Sequence, residues 1–152
     1  MSQPQVYVEG VDRPAHYGNS TEIADFIYSH NLNFNLGSAV KYICRWDAKG
    51  DPIKDLQKAI WYLSYEMAQI ANDPRHHSAF YDEDYEAEWR SFAIRQKLPE
   101  TLIIAIKNIG LYKQRRQIQY LTWAIDNLVI FANALAEEIY SMLDQTRRTE
   151  EN

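Results

Sequence analysis

Apolar residues recur along most of this chain at intervals of three and four, the period of helices that turn one face inward. After an irregular stretch holding Pro4, Gly10, Pro14 and Gly18, Ser20 offers an N-cap for a first helix running from about Thr21 to His30, with Ile23, Phe26 and Ile27 on its inner face. Asn31-Leu32-Asn33-Phe34-Asn35 breaks it. A second helix from about Leu36 to Trp46 aligns Leu36, Ala39, Ile43 and Trp46, and its opposite face carries charge. The turn Asp47-Ala48-Lys49-Gly50-Asp51 leads to Pro52, well suited to the first turn of a third helix whose seam is Ile53, Leu56, Ile60, Leu63, Met67 and Ile70. The second helix is the nearest partner for that seam.

Asn72-Asp73-Pro74-Arg75-His76-His77-Ser78 reads as a break between halves, with a boundary near residue 75, and the acidic, aromatic run Tyr81 to Trp89 begins another helix. Pro99 and Glu100 open a short apolar helix expected to end at Gly110, and a long pattern begins around Tyr112. In that pattern Ile118, Leu121, Ile125, Leu128, Ala132, Leu135, Ile139 and Met142 form a coiled-coil-like seam, widened by Trp123, Phe131 and Tyr140. The predicted fold is all-α, a helical bundle in which a compact helical module is followed by a long coiled-coil-like helix. Its parts are an irregular arm over 1–20, the module over 21–74, a helical extension for assembly over 75–145 and a polar, frayed tail over 146–152. The excess of apolar surface on the long helix predicts a homo-oligomer.

Composition changes this picture little: 152 residues, 46% of them hydrophobic, suffice for one buried core. Net charge of −5 gives no long-range attraction to a nucleic-acid backbone, so no extended nucleic acid is expected as partner and any anion site must be local. No apolar run approaches the roughly 18 residues of a membrane span, and Met1-Ser2-Gln3-Pro4-Gln5 lacks the charged-then-apolar pattern of a leader. The expectation is a soluble protein of the cytoplasm. Cys44, the single cysteine, sits among apolar residues and reads as a buried structural thiol.

The candidate chemistry lies in the first half. Lys41 and Arg45, four apart, project from one face of the second helix, Lys49 lies just beyond its end, and Lys58 follows on the third. Phosphate recognition needs such a group, because Arg grips two oxygens at once and Lys supplies a mobile charge. The alternative is a solvated face on which Asp55 pairs one of the cations. His16 and Tyr17 lie in the irregular segment, where an imidazole and a phenol could donate to phosphate or stack on a base, or Tyr17 could simply pack. Glu22 and Asp25, three apart, could organise magnesium, orient a cation or face solvent. No phosphate-cradling glycine loop ending in Lys-Ser or Lys-Thr is present, no Cys/His set has zinc spacing, and no metal site is assigned. Trp61, Tyr62 and Tyr65 read as mostly core, with Tyr62 best placed to line a pocket.

Together, Arg13-Pro14-Ala15-His16-Tyr17, Glu22-x-x-Asp25, Gly37-x-x-x-Lys41-Tyr42-x-x-Arg45-x-x-x-Lys49-Gly50 and Asp55-Leu56-x-Lys58-Ala59-x-x-Tyr62-Leu63 resemble the SaV-like phage protein family over residues 12–66. The resemblance implies a phage-encoded helical module, described for that family as a domain of unknown function or as a nucleotide kinase without the usual phosphate loop. His16 and Tyr17 match its Pro-x-His-Tyr motif, Lys41, Tyr42 and Arg45 its central helix, and Lys49, Asp55 and Lys58 its turn and following helix. Ser38 stands where the family commonly has Asn.

Read with the resemblance, the chain is a phage-encoded nucleotide- or phosphate-binding protein of the host cytoplasm. As an enzyme it would be a nucleoside monophosphate kinase-like phosphotransferase, with ATP and Mg²⁺ as cofactors, cations neutralising phosphate, and Glu22, Asp25 or Asp55 organising the metal. As a counter-defence sponge it would sequester a nucleotide or cyclic nucleotide without turnover. A third reading makes its second half a helical inhibitor of a host protein, and nucleotide pyrophosphohydrolysis has less support because paired Glu-x-x-Glu motifs are not evident.

Overall fold

The computed structural model describes residues 20–48, 50–70 and 81–151. Those residues form six helices and no strand: α1 (Ser20–Ser29), α2 (Phe34–Cys44), α3 (Pro52–Ile70), α4 (Glu83–Arg95), α5 (Glu100–Arg115) and α6 (Ile118–Glu151). The all-α architecture read from the sequence is the one observed. The irregular arm, His16, Tyr17, Lys49, the boundary near residue 75 and His76-His77 lie outside the described residues.

Local chemistry sets the helix starts. Asn33 accepts the Leu36 N–H at 2.9 Å, so α2 begins at Phe34, inside the segment expected to be a break. Asp51 accepts from the Lys54 N–H at 3.2 Å ahead of Pro52, and Asp82 accepts from the Asp84 N–H at 2.9 Å, with Glu83, Asp84 and Glu86 favouring the positive end of α4.

α3 packs between α2 and α6, and α5 between α4 and α6. One core runs through both halves of the chain, from Leu36, Ala39, Ile43, Leu56 and Leu63 to Trp89, Phe92, Leu102, Ile106, Ile109, Leu121 and Leu128. α1 closes one side: Phe26 stacks on Phe92 at 3.8 Å and meets Trp89 edge-on at 4.8 Å.

Gly110 does not end a helix. α5 continues through it to Arg115, because a glycine is needed there for close approach: a Cβ would lie 2.5 Å from Trp89 Cδ2 and 2.6 Å from its Cγ. The chain turns beyond the expected stop, at Arg116, which adopts the left-handed conformation (φ 56°) while its N–H donates to the Tyr112 carbonyl at 2.7 Å. α6 therefore starts at Ile118.

The long seam divides. Leu121, Leu128 and Ala132 are buried inside the subunit, and Ile125 and Leu135 pack against its core. Beyond Leu135 the helix runs on without such cover: Ile139, Tyr140, Met142 and Leu143 are exposed. The polar tail up to Glu151 is the last part of α6, helical and exposed from Gln145 to Glu151. Among the described residues, no helix is long and apolar enough to cross a membrane.

Candidate functional site

α2 and α3 form a hairpin, and the outer face of that hairpin is where the predicted cations meet. At 100° per residue the inner face of α2 holds Leu36, Ala39, Val40 and Ile43, which leaves Phe34, Ser38, Lys41 and Tyr42 on the other side, with Arg45 just past the helix end as its C-cap. On α3 the inner Leu56, Ala59 and Leu63 leave Lys58, Trp61, Tyr62 and Tyr65 outward in the same way.

The half-buried Tyr42 ring is the centre of the cluster. Lys58 Nζ lies 5.1 Å, Lys41 Nζ 5.3 Å and Arg45 Cζ 6.0 Å from its centroid. Each is within cation–π range, an attraction of about 0.5–1 kcal/mol at an exposed site. Tyr62 stacks parallel to Tyr42 across the hairpin, centroids 6.0 Å apart. Among the described residues no carboxylate forms an ion pair with Lys41, Arg45 or Lys58. Asp55, the partner in the alternative reading, is buried on α3 one turn before Lys58. Three cations around one ring repel one another, and an anion seated among them relieves that repulsion.

Two of the predicted acidic residues, Glu22 and Asp25, lie on α1. Glu22 accepts from Arg95 Nε at 2.7 Å and from Gln96 Nε2 at 3.0 Å, tying α1 to the end of α4. Asp25 is exposed on α1. Among the described residues no group of three His, Cys, Asp or Glu side chains could hold a metal ion. Cys44 is free, and burial together with the nearby Glu22 carboxylate pushes its thiol well above the ordinary range, away from nucleophilic use.

Two features escaped the sequence reading. Trp61 and Tyr65, taken as core, are 58% and 45% exposed, because they lie opposite the Leu56–Leu63 face. Glu66 is buried and held by three neutral side chains. Asn33 Nδ2 donates to its two oxygens at 2.9 and 3.1 Å, Asn35 Nδ2 donates at 3.1 Å, and the Tyr112 hydroxyl at 3.3 Å. This node joins the start of α2 to α3 and α5, so it fixes the hairpin that carries the cations. Burial and the Glu66 charge push the Tyr112 phenol up to about 12, so it stays a donor at neutral pH.

Residues 11–64 match a family described as a protein of unknown function, DUF3310. That segment spans α1, α2 and most of α3, and so includes Lys41, Tyr42, Arg45, Lys58 and Tyr62. No curated protein and no solved structure shows significant similarity to the chain.

Proposed function

We propose that this protein binds a nucleotide or other phosphate-bearing small molecule on the outer face of the α2–α3 hairpin. The observation that carries the reading is the convergence of Lys41, Arg45 and Lys58 on the Tyr42 ring with no described carboxylate paired to them. Arg45 supplies a bidentate donor pair, the two lysines supply charge, and Tyr42 and Tyr62 form an aromatic wall. Sequestration asks nothing more of the site. Phosphotransfer would also require ATP and magnesium organised close to these cations, with the SaV-like, phage-encoded kinase reading as its source.

The test is isothermal titration of the full chain with pyrophosphate and with ATP and magnesium, followed by mass analysis of the free and heat-released ligand. Lys41→Ala and Arg45→Ala should each weaken binding by more than about 1 kcal/mol, the loss of one charge-assisted hydrogen bond. Recovered intact ligand marks a sponge, and converted ligand an enzyme.

The second half supports self-association with another copy of the chain. Ile139 and Met142 carry the seam of α6 past the subunit's own cover, and Ala136, Tyr140 and Leu143 run beside them, exposed and spaced four and three. That is the period of a helix paired with a helix. Leu128 is a fully buried core residue, so a charge there would unfold the subunit rather than test assembly. Leu143, 64% exposed, is the informative position. Leu143→Asp should lower the mass seen by light scattering while leaving the helical signal intact, and an unchanged mass would remove this patch from assembly.

A further inference from the structure

The cation cluster does not end at Tyr42. Beyond Tyr62 the same face continues as an aromatic ridge open to solvent: Phe34 is 74% exposed and meets Tyr62 edge-on at 5.6 Å, and Trp61 meets Tyr62 edge-on at 5.1 Å. Trp61 in turn stacks on Tyr65, centroids 5.3 Å apart and planes 14° from parallel. Large aromatic side chains exposed outside the core, even where two share a stack, offer their outer faces as platforms for flat ligands. Positive charge tracked by aromatic rings is the arrangement that holds phosphodiester-linked bases, the charge holding the backbone and each ring taking a base by stacking.

The order of the groups along the face selects the ligand. The cations surround Tyr42, Tyr62 lies next to it, and Trp61, Tyr65 and Phe34 lie beyond Tyr62. A ligand with one phosphate and one base would be satisfied at Tyr42 and Tyr62, and would leave the exposed ridge without an occupant. A second base, joined through a phosphodiester, reaches it. We infer that the ligand of this face carries at least two bases joined by phosphodiester linkage, with its phosphates among Lys41, Arg45 and Lys58 and one base on the Phe34–Trp61–Tyr65 ridge. This rests on the phosphate-binding reading of the same hairpin. The chemistry is shared by linear dinucleotides with free ends and by cyclic dinucleotides.

Titration of the full chain with pyrophosphate, AMP, linear pApA and cyclic di-AMP separates these terms. The expected result is that pApA or cyclic di-AMP binds at least about tenfold more tightly than AMP, one stacking contact's worth. Whichever of the two is tighter identifies a ligand with free or closed ends. Trp61→Leu should remove that gain and leave pyrophosphate affinity unchanged, and Trp61→Phe, which restores a ring, should recover most of it. Equal affinity for AMP and both dinucleotides, or a gain that survives Trp61→Leu, overturns the two-base inference while the phosphate site stands. Binding of none of the four probes overturns the phosphate site itself.

Discussion

Among the described residues, the two largest aromatic clusters face opposite ways, one inward and one outward. Phe26, His30, Trp89 and Phe92 interlock where α1 meets α4, with Phe26, Trp89 and Phe92 buried and Gly110 of α5 pressed against the indole. Tyr42, Tyr62, Phe34, Trp61 and Tyr65 instead line the outside of the α2–α3 hairpin, edged by three cations. The first cluster excludes water and joins elements. The second stays on its own hairpin, where Tyr42 stacks on Tyr62 and Trp61 on Tyr65, with Phe34, Trp61 and Tyr65 exposed. Aromatic content alone therefore does not distinguish a core from an outer face; the accompanying residues do. A glycine and a phenylalanine stack mark one, and Lys41, Arg45 and Lys58 mark the other.

The sharpest way to break this contrast is to disturb the inner cluster. Gly110→Ala drives a Cβ into the Trp89 ring, and the fully buried indole has no free space to yield into. The substitution should destabilise the protein by about 3 kcal/mol, at the upper end for overpacking, read as a lowered denaturant midpoint. A change below about 0.5 kcal/mol, the size of an ordinary surface substitution, would mean that Trp89 is not wedged as described. Trp61→Leu, at the opposite extreme, should shift stability by no more than about 0.5 kcal/mol in the same assay. A larger loss would make the ridge part of the fold rather than a platform.

The same contrast shows why some of the structure was legible in the sequence and some was not. α3 was clear because Pro52 marks its start and a three-four seam runs its length, although full burial falls on Leu56, Ala59, Leu63 and Glu66 and leaves Ile60, Met67 and Ile70 partly covered. Lys41 and Arg45 were legible as a pair because four residues is one helical turn. That Lys58 would face them depends on the α2–α3 packing, which the continuous seam suggested. Gly110 misled because glycine serves both to end helices and to admit a close neighbour, and the neighbour, Trp89, comes from another helix. Trp61 and Tyr65 misled because large aromatics adjoining an apolar seam look like more of it. Glu66 gave no signal at all, since its donors come from Asn33, Asn35 and Tyr112, on segments distant in the chain. The distal half of α6 repeats the seam of the proximal half, and the pattern did not mark where intramolecular cover stops at Leu135.

The proposed phosphate binding by the cations on the outer hairpin face rests on Lys41 and Arg45. Its most direct test is calorimetric titration of pyrophosphate into the wild-type chain and into Lys41→Ala and Arg45→Ala, each first shown to be folded by its helical signal. Saturable binding in the wild type, weakened by more than about 1 kcal/mol in each variant, is the result expected. Binding that both variants retain at full strength would place the anion elsewhere and leave the α2–α3 face a solvated surface.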